Sequence, residues 1–298
     1  MNQYDVLIVG GGFGGAFAAR RLEQLLRGRG ERVLLVAGEN FFLFSPLLPE
    51  AASGTLEPRH AVIPLREFLP RTAVLTGRVT ALDPAARRAT IVDLNGDTHE
   101  VAFRSLILSP GSVPTTLPIP GLLENAVGFK TLPDAIWLRN RVLRQLDAAD
   151  ATDDLALRRE LLTFTFIGGG YSGVEALAEL ESLTRDALRR AYPRLRPNDL
   201  RWVLVEAAPT LLPGLDPRLA SYAERALRRK AVELHLSTRL ESCVDGIVHL
   251  SDNAVAPYTS ATIVWTAGQR PSELPRRIGL PVDDRGRVPV DSYLRVPG

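Results

Sequence analysis

The chain has 298 residues, 45% of them apolar and 23% charged, with a formal net charge of +2. This ordinary globular balance excludes a disordered chain and offers no electrostatic lead toward nucleic acid or a polybasic membrane footprint. A lone cysteine, Cys243, excludes an intrachain disulfide and a Cys-x-x-Cys redox pair and argues against structural zinc. Only Lys130 and Lys230 interrupt an otherwise all-arginine set of 36 basic residues, a compositional bias rather than a binding signal. No basic leader precedes the first apolar run and no stretch approaches 18 continuous apolar residues, so a cytoplasmic character is expected.

The chain opens on "YDVLIVGGGFGGAFAARRLEQL". Asp5 to Val9 reads as a short strand, and Gly10, Gly12 and Gly15 satisfy the Gly-x-Gly-x-x-Gly spacing where that strand turns into a helix. The helix's apolar face includes Ala18, Ala19, Leu22, Leu25 and Leu26. The first glycine allows the tight turn, the second lets a pyrophosphate approach the backbone, and the third lets helix and strand pack closely. By itself the spacing is weak; with a second strand at Arg32–Val36 it points to nucleotide binding, against a turn that serves packing alone. That second strand ends in Ala37, where an acid for the ribose is expected. Glu39 lies two residues beyond, either reaching the ribose from a longer turn or standing as a surface acid.

Residues 73–103 alternate apolar and polar residues around "AVLTGRVTALDP" and "RATIVDL", which predicts a small antiparallel insertion with a hairpin at Asn95-Gly96-Asp97. "SLILSPGSVPTTLPIPG", residues 105–121, reads as a strand followed by a Pro/Gly-rich linker into a second domain.

The opening motif then recurs in "FTFIGGGYSGVEALAEL", residues 164–180. Phe164 to Ile167 is the strand, Gly168, Gly170 and Gly173 form the turn, and a helix runs on from Val174. In "RWVLVEAAPTLLPGLDP", Val203–Val205 is the next strand and Glu206 stands at its end, able to accept both hydroxyl hydrogens of an adenosine ribose. A carboxylate beside Ala207 and Ala208, with no adjacent arginine, favours NADH over NADPH. The alternative is a solvated strand-end acid. "TIVWTAGQRPSEL", residues 262–274, is a further strand with a small-residue turn. The fold class expected is α/β: two nested Rossmann-like dinucleotide-binding domains with a small antiparallel insertion. Residues 1–118 and 268–298 form one domain and 119–267 the other. The histidines, His60, His99, His235 and His249, show no metal-like spacing.

The stretches "LIVGGGFGG", "NFFLFSPLLPEAASG", "VGFKTLPDAIWLRNRVL", "FIGGGYSGVEALAEL", "VEAAPTLLPGLDP" and "VWTAGQRP" resemble, in order, those of the type II NADH dehydrogenases. These are single-subunit FAD enzymes that pass electrons from NADH to a membrane quinone without pumping protons. The resemblance implies that Gly10, Gly12, Phe13, Gly14 and Gly15 hold FAD, with Glu39, Pro46, Leu47 and Gly111 also at the flavin. It implies that Gly168, Gly170, Tyr171, Gly173 and Glu206 hold NADH, with Ala267 and Gly268 completing the cofactor contacts. Glu175 matches a family acid near the nicotinamide–flavin contact, although two residues past the last glycine it also enjoys the positive end of its helix.

Partners implied are NADH and quinone, no nucleic acid, and a peripheral contact at the cytoplasmic face of the inner membrane, with a homodimer left open. The family's usual Ala-Thr-Gly turn is Ser109-Pro110-Gly111 here, and its proline lacks a backbone donor. The family also continues past "VPVDSYLRVPG" into further flavin, quinone and membrane contacts. The expectation is therefore NADH binding by the second domain, weak FAD retention and little quinone turnover. Two other readings stand beside it: another NADH-dependent flavoprotein reductase, and a noncatalytic nucleotide-binding or redox-sensing module or fragment.

Overall fold

The computed structural model describes residues 2–297; Met1 and Gly298, the outer limits of the intervals drawn from sequence, lie outside the described residues. The chain divides into two compact units. One comprises residues 2–43, 62–113 and 269–297, the other 44–61 and 114–268. Residues 44–61, which fall inside the first sequence interval, pack with the second unit.

In the first unit, β1 (Asn2–Val9) leads through the glycine turn into α1 (Phe13–Leu25) and back to β2 (Val33–Ala37). A short antiparallel pair, β3 (Phe41–Leu43) and β4 (Val62–Pro64), brackets the excursion that holds α2 (Leu48–Ser53), and α3 (Leu65–Phe68) follows. Next come β5 (Ala73–Asp83), β6 (Arg88–Asp93) and β7 (Thr98–Leu108). The antiparallel piece predicted over 73–103 is not separate from the main sheet. β5 and β7 are long enough to pair in parallel with β2 and β1 at one end and antiparallel with β6 at the other, so β1, β2, β5, β6 and β7 close into a ring.

The hairpin at 95–97 forms as its residues require. Asn95 and Asp97 N–H both donate to Asp93 Oδ1 at 2.9 and 3.0 Å, and Gly96 takes φ +89°. Asp93 also meets His99 Nε2 at 2.8 Å, and this bond holds its carboxyl below the ordinary value. Two apolar clusters fill the unit. Ile8, Ala16, Ala19, Leu35 and Leu65 lie on one side of the sheet, and Leu7, Leu34, Ile91 and Phe103 on the other. This two-sided burial explains why β1 and β2 read as continuous apolar runs rather than alternating ones.

β8 (Ser112–Pro114) spans the boundary at the end of the first unit, and the second unit continues with α4 (Leu122–Asn125) and β9 (Ala126–Gly128). Two helices follow, α5 (Leu132–Ala151) and α6 (Leu155–Leu161). The start of α5 is legible as a capping box: Asp134 N–H donates to Thr131 Oγ1 and Thr131 N–H to Asp134 Oδ2. β10 (Thr163–Ile167), α7 (Tyr171–Ala191), β11 (Arg201–Val205), α8 (Pro217–Arg229) and β12 (Glu233–His235) complete the repeat of the first unit. A small sheet of β13 (Leu240–Ser242), β14 (Ile247–Leu250) and β15 (Tyr258–Thr259) intervenes before β16 (Thr262–Trp265). The main sheet is parallel in the order β12-β11-β10-β16-β9. The chain then passes through β17 (Gln269–Pro271) to α9 (Leu274–Arg277) in the first unit.

Phe164, fully buried on β10, stacks on Trp202 with ring centroids 4.5 Å apart; burial of one such ring contributes about 1.5–3 kcal/mol. α7 is tied to the end of α8 by a buried acid. Glu181, 1% exposed, accepts from Arg185 and from Lys230 Nζ at 2.7 Å, while Lys230 Nζ also reaches Ser182 Oγ at 2.8 Å. Lys230→Met leaves that carboxylate with Arg185 alone. The unfolding free energy should fall by about 1.5–3 kcal/mol, read as a lower denaturant midpoint. An unchanged midpoint would mean that Arg185 alone satisfies the acid.

Among the described residues, no helix is long and apolar enough to cross a membrane.

Candidate nucleotide sites

Each unit ends its central parallel strands in the same device, and the strand register shows which residues correspond. In the first unit Val9 is level with Val36 and with Leu108, so the next residues are Gly10, Ala37 and Ser109. In the second, Ile167 is level with Val205 and with Trp265, so the next are Gly168, Glu206 and Thr266. The second turn lies where strand order reverses around β10, the place at which open parallel sheets form a ligand crevice.

The glycine roles can be checked one by one. Gly10 and Gly168 take φ +110° and +117°, conformations that a side chain disfavours. Their N–H groups donate to Val36 and Val205 carbonyls, each at 2.8 Å. A Cβ on Gly15 would run into the Gly10 carbonyl oxygen, and one on Gly173 into that of Gly168, so no other residue lets α1 and α7 lie so close to β1 and β10. Gly12 and Gly170 are different: a Cβ on either would meet nothing within 4 Å. They are the N-caps of α1 and α7, with no side-chain cap and no acid in the first helical turn. Both helix starts thus turn their positive ends to open space, and that of α7 adds free amides, a cradle that suits a pyrophosphate in charge, donor geometry and room.

Other residues singled out from sequence fall as follows. Phe13 and Tyr171 are the first residues of α1 and α7, both about half exposed. Gly14 faces Ser109, whose Cβ would lie 3.2 Å from a side chain there. Ala37 is buried, and its methyl group fills the space beside Gly11, whose own Cβ would come within 2.6 Å of it. Glu39 stands exposed two residues further on. Pro46 is exposed and Leu47 half-buried, in a short 3-10 turn at Ser45–Leu47 that leads into α2 of the second unit. Gly111 and Gly268 take φ +69° and +80°, each three residues past the end of its strand, β7 and β16; Ala267 packs against the second unit's core.

Glu206 is engaged by the turn itself. Its Oε2 accepts from Gly169 N–H at 2.5 Å and its Oε1 from Ala208 N–H at 2.7 Å. A carboxylate has about four acceptor positions, so both oxygens keep capacity for ribose hydroxyls. Leu211 packs on the same turn, and Leu212 N–H donates to Gly169 carbonyl at 2.8 Å, with Leu212 at φ +51°. Glu175 is exposed on α7, yet partial burial first and the negative charge of Glu50 second raise its carboxyl above the ordinary value.

Sequence reading missed two hydroxyls. Ser109 Oγ donates to Val9 carbonyl at 3.1 Å and lies 3.4 Å from Gly10 carbonyl. Thr266 Oγ1 lies 3.0 Å from both Ile167 and Gly168 carbonyls. The only signal was the paired turns Ser109-Pro110-Gly111 and Thr266-Ala267-Gly268 at the same distance past their strands.

The comparisons with known proteins agree with this duplicated architecture. The chain is 33% identical over 307 residues to the type II NADH:quinone oxidoreductase Ndh of Mycobacterium tuberculosis, covering all of this chain and 65% of that protein. It is 30% identical to the mitochondrial external alternative NADH-ubiquinone oxidoreductase of Yarrowia lipolytica, covering all of this chain and 54% of that one. Among solved structures, NDH2 from Plasmodium falciparum in complex with NADH superposes with a TM-score of 0.82 at 20% identity, over 90% of this chain and 56% of that chain, a likeness of fold. The 298 residues thus span less than two thirds of the length of these relatives. The family model for pyridine nucleotide-disulphide oxidoreductases matches residues 4–297, and the chain belongs to that family.

Proposed function

We propose that the first glycine turn holds FAD and the second NADH, and that the protein passes electrons from NADH to a quinone. The observation that carries this reading is the second turn, where a cradle of free helix amides stands beside a strand-end carboxylate already oriented by two backbone N–H groups. FAD, when bound, supplies the redox chemistry, taking hydride from NADH and passing the electrons onward.

The protein's own share is position and charge. Gly10, Gly12, Gly14 and Gly15 with Phe13 form the flavin pyrophosphate seat, and Glu39, Pro46, Leu47 and Gly111 are the further flavin-side candidates. Gly168, Gly170, Gly173 and Tyr171 form the nicotinamide dinucleotide seat, with Ala267 and Gly268 behind it, and Glu206 accepts the adenosine ribose hydroxyls. The name of the mycobacterial relative supports a quinone as acceptor. A quinone substrate in turn favours a peripheral contact at the cytoplasmic face of the inner membrane.

The test is an absorbance spectrum of the purified protein followed by anaerobic titration with NADH. Stoichiometric bleaching of the flavin, with FAD added where too little is retained, is the expected result. A protein that binds NADH but no added FAD would overturn the enzyme reading in favour of a noncatalytic nucleotide-binding module or fragment.

Glu175 is proposed to hold a proton near the reacting rings, and Glu175→Gln should slow one redox half-reaction several-fold in stopped-flow measurements. Its raised carboxyl gives a second, independent readout. A carboxyl raised by folding contributes stability that is complete below the ordinary value of 4.5 and is lost as pH rises through the folded value. Glu175→Gln cannot ionise, so it should be slightly more stable than the unmodified protein at pH 7. The gain is well under about 1 kcal/mol, because the group is exposed, and should vanish by about pH 4. A variant less stable at pH 7 would show that the ionised form is favoured instead.

A further inference from the structure

We propose that Thr266 is a positioning residue for Glu206, acting through the single peptide unit that joins Gly168 to Gly169, and that it thereby sets how well the second turn holds the adenosine ribose. The inference rests on the NADH reading of that turn. Thr266 Oγ1 shares its one proton between the Ile167 and Gly168 carbonyls, 3.0 Å from each, and on the other edge of the 168–169 peptide plane Gly169 N–H donates to Glu206 Oε2 at 2.5 Å. A trans peptide is planar, with its C=O and N–H pointing in opposite directions. Holding the carbonyl on one side therefore aims the N–H on the other, and the three groups form one hydrogen-bonded chain: Thr266 hydroxyl, peptide 168–169, Glu206 carboxylate. Such chains polarise in series, so each bond strengthens the next.

The site is built rather than incidental. Thr266 N–H is itself fixed on Ile167 carbonyl at 2.8 Å. Its hydroxyl would lie 2.6 Å from a Cβ on Gly173, so it sits between the strand end and the start of α7. At the other end, the second oxygen of Glu206 is held by Ala208 N–H at 2.7 Å, which leaves the carboxylate a single orientation when both bonds are made.

The first unit supplies an internal comparison. Ser109 makes the matching approach to Gly10 carbonyl, longer at 3.4 Å, but the position of Glu206 is taken there by Ala37, which has no acceptor for Gly11 N–H. The chain of bonds stops at the peptide. A hydroxyl just past the strand end thus has a carboxylate to orient only in the second unit.

The experiment uses the whole purified protein. Thr266→Val should raise the dissociation constant for NADH about 10-fold and change that for NADPH much less, so that the preference between them narrows. Thr266→Ser, which keeps the hydroxyl, should restore the unmodified values. In a Glu206→Ala background the Thr266→Val change should add almost nothing, since the two residues act in one chain. Amide hydrogen exchange on the ligand-free protein provides a readout independent of any cofactor: Gly169 should exchange faster in Thr266→Val and not in Thr266→Ser. If valine crowds the turn and prevents folding, Thr266→Ala removes the hydroxyl without adding bulk and carries the same expectations. Unchanged Gly169 exchange, or additive effects of the Thr266 and Glu206 substitutions, would overturn the inference. A protein that binds no NADH at all, with Gly169 exchange still governed by the Thr266 hydroxyl, would overturn the nucleotide reading and leave the positioning role standing.

Discussion

Gly173→Ala should abolish measurable NADH binding and lower the melting temperature, whereas Gly170→Ala should weaken NADH binding and leave the melting temperature unchanged. At Gly173 a methyl group has nowhere to go. It would strike the carbonyl oxygen of Gly168 and approach within 2.6 Å of Thr266 Oγ1, two groups that lie 3.0 Å from each other. α7 would have to lift from β10, disturbing the packing of Val174, Ala176 and Leu177. Overpacking of this kind costs about 1–3 kcal/mol or more, and displacing the helix start misaims its free amides.

At Gly170 the methyl meets no protein atom within 4 Å, and the residue has an ordinary φ of −76°, so folding should be indifferent. The open space, however, is the proposed phosphate seat, and an affinity loss of about 10-fold or more should follow from filling it. Calorimetric titration with NADH and thermal denaturation of both variants separate the two effects. Full NADH affinity in Gly170→Ala would show that the phosphate does not pass there.

The second large effect is expected at Glu206. Glu206→Arg should lower NADH affinity by at least 10-fold and narrow the preference for NADH over NADPH, with both dissociation constants measured at one ionic strength. Two things are lost together: the acceptor for the ribose hydroxyls, and the partner of two part-buried N–H groups, Gly169 and Ala208. Charged hydrogen bonds contribute about 1.5–3 kcal/mol each, so Glu206→Ala should also be less stable without ligand. Tighter binding of NADPH than NADH by the unmodified protein would remove Glu206 from the ribose site.

The glycine spacings at 10–15 and 168–173 made both strand-turn-helix units legible in advance, because the turn depends on local backbone freedom: a positive φ at Gly10 and Gly168 and no side chain at Gly15 and Gly173. The hairpin at Asn95-Gly96-Asp97 was local in the same sense. By contrast, the antiparallel segment looked separable only because its long strands hid their parallel halves; the pairing of β5 with β2 and of β7 with β1 is a matter of register between distant segments.

The sequence by itself therefore determined the two repeats, their order and the acid at Glu206. Tertiary structure alone decided that residues 44–61 pack with the second unit and that Ser109 and Thr266 reach back to the glycine turns. Those hydroxyls lie 100 and 99 residues from the strand-end carbonyls they hold. Nothing local marks such a partner, since parallel neighbours are brought together by a crossover and not by a turn.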